Sequence, residues 1–194
     1  MFKAKRRTVV TTTAVAAVLL GGALAATLLT SGSGKASASA GDGIVEYPAG
    51  HRPLAPDVTG TSLTGSPIRL SSYQGKTLVL NFWGSWCPPC RGEGATFAEL
   101  DKSYGPKGVA FLGDDVADTP ANALSFTRSA GITYPSISDN GYLVVADFSQ
   151  AGVQVSDTPT TVVIDKTGHV VGMVLGAALY SQVTTLINDA AVSS

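Results

Sequence analysis

The stretch Leu78-Val79-Leu80-Asn81-Phe82-Trp83-Gly84-Ser85-Trp86-Cys87-Pro88-Pro89-Cys90-Arg91 constrains this chain more than any other. Its apolar run, residues 78–83, fits a buried strand, and Gly84-Ser85 breaks that strand just before two cysteines three apart that open a helix. A buried strand feeding straight into a helix calls for a sheet with helices packed on it. Cys87 and Cys90 are the only cysteines in the 194 residues. At this spacing they can form a small reversible disulfide. The sulfur at the helix N-terminus has its thiolate stabilised by free backbone N–H groups and by the helix dipole, and that thiolate is the nucleophile of disulfide exchange.

The N-terminal forty residues have a different character. Lys3, Lys5, Arg6 and Arg7 precede an uncharged, mostly apolar run over residues 8–30 and a Ser/Gly/Ala tract to Ala40, with no Asp or Glu before Asp42. This is the layout of an export signal, and Ala36-Ser37-Ala38 and Ala38-Ser39-Ala40 both offer small-residue cleavage sites. The apolar run also reaches the roughly 20 residues that span a bilayer, so an uncleaved N-terminal membrane anchor is the competing reading. Arg6-Arg7 is a weak twin-arginine signal. Either way the remainder lies outside the cytoplasm, secreted or held at the outer face of the membrane, where disulfides persist. From Gly41 onward the chain carries all fourteen acidic residues and eight of the thirteen basic ones, a net charge of −6. That balance argues against nucleic acid as a partner.

The expected organisation is a signal peptide or anchor over residues 1–40, a flexible linker over 41–52 and one domain over 53–194. Within the domain, residues 63–70 read as a hairpin turning at Gly65-Ser66. The helix after Cys90 carries Phe97, Leu100 and Tyr104 on one face and stops at Gly105-Pro106, although Gly92 and Gly94 each weaken it by ~1 kcal/mol relative to Ala. A strand at 109–112 follows, then a helix from Asp118-Thr119-Pro120 to Gly131, with Asp118 as its acidic cap. Residues 142–148 read as a short helix. Residues 160–164 form a strand, 165–168 a tight turn and 169–175 the returning strand. A closing amphipathic helix over 179–192 places Leu179, Val183, Leu186, Ile187 and Ala190 on one face. The fold class is α/β with a mixed central sheet flanked by helices.

Trp86-Cys87-Pro88-Pro89-Cys90 after a strand, with Thr158-Pro159-Thr160 before a later strand and hairpin, resembles the thioredoxin superfamily. Residues 81–93 are similar to its TlpA/ResA-like branch of envelope thiol-disulfide oxidoreductases, as are Ala55-Pro56-Asp57, residues 131–136 and residues 159–168. The resemblance covers roughly residues 53–190. It implies a thioredoxin fold with an N-terminal β-hairpin and a central insertion between the strand near Phe111 and Pro159. It implies exchange of disulfides with exported, cysteine-containing client proteins, and a membrane thiol electron donor or acceptor as second partner. Reduction of clients, in cytochrome c maturation or a similar process, is the expected direction. A disulfide-donating oxidase and a non-enzymatic thioredoxin-like binding module are the rivals, and a peroxidase lacks a separate peroxidatic cysteine.

In that setting Cys87 is expected to be the exposed attacking sulfur and Cys90 the deeper, resolving one. An inert disulfide or half a zinc site is the bland alternative, but zinc takes four ligands and only His51 and His169 could add to the sulfurs. No diffusible cofactor is needed, the redox-active disulfide itself carrying the electrons. Pro88 suits the first helical position, with Pro89 it stiffens the loop between the sulfurs, and both are expected to contact clients. Glu93, three residues after Cys90, shares its helix face. It is either a solvated helix carboxylate or, as the resemblance implies, a partly buried group that tunes the thiols and relays the proton of Cys90. Cytoplasmic thioredoxins carry a buried Asp where this chain has Asn81, which cannot take a proton. Pro159 is either an ordinary strand-start proline or, as the resemblance implies, a cis-proline presenting the Thr158 backbone to an extended client. Trp86 is expected to shield the sulfurs and contact clients, and Trp83 to lie in the core. Asp114, Asp115 and Asp118 could suggest a cation site, but an acidic loop and helix cap accounts for them. Gly94-Ala95 departs from relatives that carry a bulky residue and a proline, which would leave the helix straighter and the neighbouring groove more open.

Overall fold

Leu78, Leu80 and Phe82 point to one side of the strand that leads to the cysteines, and Val79, Asn81 and Trp83 to the other; all six are buried. A strand covered on both faces must sit in the middle of a sheet. The computed structural model, which describes residues 37–38, 43–155 and 157–192, places it there. In chain order the elements are β1 (Ser37–Ala38), β2 (Ile44–Glu46), β3 (Thr59–Thr61), β4 (Pro67–Arg69), β5 (Thr77–Trp83), α1 (Pro88–Tyr104), β6 (Val109–Val116), α2 (Pro120–Ala130), β7 (Ser136–Asp139), α3 (Leu143–Gln150), β8 (Thr160–Ile164), β9 (Val170–Leu175) and α4 (Tyr180–Val192). The main sheet has the order β1-β2-β9-β8-β5-β6-β7. β5 pairs in parallel with β6, and β6 with β7, whereas β8 runs antiparallel to both β5 and β9.

The alternation along β5 sorts the core into two halves. Leu78, Leu80 and Phe82 join Leu112, Val116, Val162 and Ile164 beneath α3, where Phe148 meets Phe82 edge-on at 5.5 Å between ring centroids. Val79 joins Phe111, Val163 and Val171 beneath α1 and α4, which contribute Phe97, Leu100, Val183, Leu186 and Ile187. Burying Phe97 and Leu100 is worth about 1.5–3 kcal/mol each, enough to offset the two glycines that weaken α1. Trp83 is buried with the two cysteines and Ala123 in a smaller cluster at the C-terminal end of β5, as expected of a core tryptophan.

Several elements differ from the sequence reading. The stretch taken as linker, 41–52, is partly built into the sheet: Ile44–Glu46 pairs with β9, because Val45 and Tyr47 bury their side chains against the core. The hairpin is β3 with β4, so its first strand precedes residue 63 and Gly65, at φ +91°, lies in the loop between them. β6 runs four residues past the expected end, so Asp114 and Asp115 are buried strand residues and not part of a solvated loop. The N-cap of α2 is Thr119, whose side chain accepts from the Asn122 N–H, and not Asp118. β7 was unexpected; its Ser-Ile-Ser-Asp run lacks apolar alternation but adds in parallel to the edge of β6. Leu179 falls outside the buried face of α4 and is 62% exposed.

Gly94 does not open a groove. A Cβ there would lie 2.8 Å from the Phe126 ring and 3.0 Å from Ala130 Cβ, so the missing side chain is what lets α2 pack closely on α1. The signal or anchor expected over residues 1–40 lies outside the described residues except for Ser37–Ala38. Among the described residues no helix is long and apolar enough to cross a membrane.

Candidate redox site

The local sequence dictates how the cysteines are presented. Gly84 follows β5 because a Cβ there would collide with the Trp86 indole, and the Cys87 N–H donates to the Gly84 carbonyl at 3.1 Å, closing the turn. Cys87 is the N-cap of α1, Pro88 takes the first helical position, and the Cys90 N–H points at Cys87 Sγ from 3.2 Å. A free helix N–H aimed at this sulfur is the arrangement that stabilises a thiolate once the pair is reduced. Cys87 and Cys90 are joined as a disulfide.

The opposite wall is the loop before β8. The Thr158–Pro159 bond is cis, and the Thr158 carbonyl oxygen lies 3.7 Å from Cys87 Sγ. That packing corrects the expectation of an exposed attacking sulfur: Cys87 is 2% exposed and Cys90 1%. Exposure belongs instead to the rim, where Pro88 and Pro89 face solvent and Trp86 is 51% exposed. Trp86 is held there by its indole N–H, which donates to the Val116 carbonyl at 2.9 Å.

Glu93 is not a solvated helix carboxylate. It is 3% exposed, accepts from Asn81 Nδ2 at 3.0 Å through Oε1, and accepts from the Ala178 N–H at 2.7 Å through Oε2. Burial pushes its pKa up to about 7, against the opposing pull of those two donors. Such a group can hold or release a proton near neutrality. Asn81 also donates to Thr161 Oγ1 at 3.2 Å, and the Gly176 N–H donates to the Pro159 carbonyl at 3.0 Å. The turn after β9 therefore touches both the carboxyl of Glu93 and the cis-proline.

Three further acids stand at this end of the sheet. Asp118 accepts the Ser85 N–H at 2.8 Å, so it braces the loop ahead of Cys87. Asp115 pairs in register with Trp83, has no hydrogen-bond partner for either carboxylate oxygen among the described residues, and is raised to about 7 by burial and by the charge of Asp118. Asp114, on the other face, is raised well above the usual carboxylate range by burial, then by Asp139 and Asp115. Sequence reasoning missed Asp115 and Asp118 as parts of this site, and no local pattern marks them, since only the parallel pairing of β6 with β5 brings them to it. It also missed Ala178, which acts through its backbone. Among the described residues no cluster of three or more His, Cys, Asp or Glu side chains could hold a metal ion.

A Cys-x-x-Cys disulfide at a helix start, facing a cis-proline across a thioredoxin-type sheet, defines the class: a thioredoxin-fold protein built for dithiol-disulfide exchange. The sequence model of the AhpC/TSA family matches residues 52–173, and the chain belongs to that family. The chain is 37% identical over 122 residues to a protein named thiol-disulfide oxidoreductase ResA from Geobacillus kaustophilus (strain HTA426), a match covering 63% of this chain and 67% of that one. Its fold superposes on a DsbF homologue from Corynebacterium diphtheriae with TM-score 0.70 and 31% identity, covering 78% of this chain and 96% of the other. A secreted thiol-disulfide isomerase from Corynebacterium glutamicum gives TM-score 0.69 and 30% identity, covering 80% and 96%. The chain is thus an enzyme of the thiol-disulfide oxidoreductase type.

Proposed function

We propose that this protein acts outside the cytoplasm as a reductase of disulfides in exported client proteins, with Cys87 as attacking sulfur, Cys90 as resolving sulfur and Glu93 as proton carrier. The observation that carries this reading is the placement of Cys87 Sγ between the Cys90 N–H at 3.2 Å and the Thr158 carbonyl at 3.7 Å. One group favours the thiolate, and the other marks where a client backbone would lie beside it. In the reduced protein the Cys87 thiolate attacks one sulfur of a client disulfide, and the other client sulfur leaves as a thiolate. Cys90 then loses its proton, with Glu93 as acceptor, and attacks Cys87 Sγ. The client leaves with both sulfurs reduced, having taken two electrons from the protein, whose two cysteines are left joined as the Cys87–Cys90 disulfide. A dithiol donor at the membrane restores the reduced pair.

The reducing direction is supported by charge. Asp118 stands at this end of the sheet with Glu93 and Asp115, which add negative charge as pH rises through about 7, and negative charge disfavours the thiolate of the reduced form. Each such charge offsets the stabilisation that the Cys90 N–H gives the thiolate, and a less stabilised reduced form has a lower reduction potential, the opposite of a strong oxidant. Trp86, Pro88, Pro89 and Thr158 form the client-facing rim, with Pro159 shaping its wall. The extracytoplasmic setting is supported by the export-signal pattern of residues 1–40, ahead of a domain whose sheet includes Ile44–Glu46, and by the secreted relative from C. glutamicum. Service to cytochrome c maturation is the process this chemistry suits.

Equilibration of the full chain against defined thiol-disulfide buffers tests the reading. A potential near −270 mV supports the reductase, whereas one near −120 mV makes the protein an oxidant of exported proteins. A Cys87→Ala variant that kept full biological activity would point to a binding module instead.

A further inference from the structure

The loop carrying Ser85, Trp86 and Cys87 is gripped by the last residue of β6 and by Asp118 two positions beyond it. The Val116 carbonyl accepts the Trp86 indole N–H at 2.9 Å, and Asp118 Oδ2 accepts the Ser85 N–H at 2.8 Å. The other oxygen of Asp118 accepts the Thr119 N–H at 2.7 Å at the start of α2. Between the two grips Ala117 takes a left-handed conformation, φ +50°, which disfavours residues with a Cβ, and its N–H donates to the Asp139 carbonyl at 3.1 Å. The surroundings hold that turn in a shape it would not choose alone. From the far side, Arg91 Nη1 donates to the Ser85 carbonyl at 2.8 Å. Both polar groups of the Ser85 backbone are therefore taken by side chains of opposite charge.

We propose that Asp118 is a positioning residue for thiol-disulfide exchange: by holding the Ser85 N–H it fixes how the chain enters α1 at Cys87, and its charge acts on that sulfur. The proposal rests on the reading of Cys87–Cys90 as the redox pair. Asp118 is only 8% exposed, so its field is weakly screened by solvent. On the neighbouring strand Asp115 is raised first by burial and then by the charge of Asp118. The charged and titratable groups around the loop are Arg91 from α1, which favours a thiolate at Cys87, Asp115 and Asp118 from β6 and its following turn, which oppose one, and Glu93 one helical turn beyond Cys90. Loss of the carboxylate removes both the anchor and one opposing charge. Loss of the charge alone leaves an acceptor for Ser85.

The test compares full-length wild type, Asp118→Ala, Asp118→Asn and Cys87→Ala. Three quantities are read: the rate of exchange with a small disulfide, the pH midpoint of Cys87 alkylation by iodoacetamide, and the equilibrium constant with glutathione. Asp118→Ala should slow exchange by about tenfold, the scale of one lost hydrogen bond to a charged group, while Asp118→Asn recovers to within about threefold of wild type. Both should lower the alkylation midpoint and shift the equilibrium toward the reduced form by about threefold, since both remove the charge. An Asp118→Ala protein with the wild-type rate and midpoint overturns the proposal, as does an Asp118→Asn protein that is as slow as Asp118→Ala with an unchanged midpoint. Should Asp118→Ala not fold, amide hydrogen exchange in the wild type decides: a Ser85 N–H protected in both redox states supports the clamp, and exchange at the rate of an open loop refutes it. A wild type that fails to exchange disulfides at all overturns the redox reading itself, and Cys87→Ala supplies that baseline.

Discussion

Replacing Glu93 by Gln should abolish the pH dependence of stability that this one side chain imposes. In the folded protein burial lifts the carboxyl from its ordinary 4.5 to about 7. Between those values the unfolded chain has released the proton and the folded chain still holds it, so stability falls by about 1.4 kcal/mol per pH unit as pH rises. The stabilising contribution of the retained proton is complete below the unfolded value and is lost as pH passes through about 7. Over the interval the loss comes to about 3 kcal/mol. Gln does not titrate, so its profile lacks this decline. It keeps one acceptor oxygen for two donors, the Ala178 N–H and the Asn81 amide, and leaving one of them unpartnered costs about 1–3 kcal/mol at every pH. The variant should therefore be the less stable protein near pH 4 and equal or superior near pH 8.5. Urea unfolding of both proteins across that range, with Cys87–Cys90 kept oxidised so that no thiol titrates, measures the difference. Asp114 and Asp115 are raised in the same direction, contribute to both proteins and cancel. Stability profiles that stay parallel within about 0.5 kcal/mol would refute the reasoning.

Cys90→Ser should accumulate a mixed disulfide between Cys87 and a cysteine-containing client, visible by mass spectrometry without reductant, whereas Cys87→Ser should accumulate none; equal trapping by both would reverse the assigned roles. Two neighbouring glycines of α1 should respond in opposite ways to alanine. Gly92 has open space around it, so Gly92→Ala should raise stability by about 0.5–1 kcal/mol, while Gly94→Ala drives a Cβ toward Phe126 and Ala130 and should lower it by about 1–2 kcal/mol after the helix-propensity gain. Urea midpoints that move together would show that α1 and α2 are not in the close contact described.

Residues 78–91 made the centre of the fold legible, because an apolar run ending in Gly-Ser and a helix-opening Cys-Pro-Pro-Cys leaves little freedom in how strand and helix meet. The β8–β9 hairpin was equally plain, with Asp165 to Gly168 as its turn. What stayed hidden depends on partners distant in sequence. Asp114 and Asp115 look like loop residues until β6 is paired with β5 and β7, since a buried acid on a strand contradicts every local preference. β7 has one large apolar residue, Ile137, and exists because β6 offers it an edge. The depth of Cys87 could not be read from spacing, as it is set by a carbonyl 71 positions away at Thr158. Glu93 was placed on the correct face of α1 by its distance from Cys90, yet its burial depends on Ala178, a backbone donor with no sequence signature.

The seam at Gly94 also restricts how this protein can change over generations. Phe126, which fills the space above Gly94, leans on Trp83 at 5.1 Å between ring centroids, and Trp83 packs in one cluster with both cysteines. A larger residue at 94 would have to be matched by a smaller one at 126, and that exchange would withdraw the ring supporting Trp83 behind the disulfide. Positions 94, 126 and 83 are thus bound to drift together, and a lineage that acquired a bulky residue at 94 would need to rebuild the back wall of its redox pair to keep it.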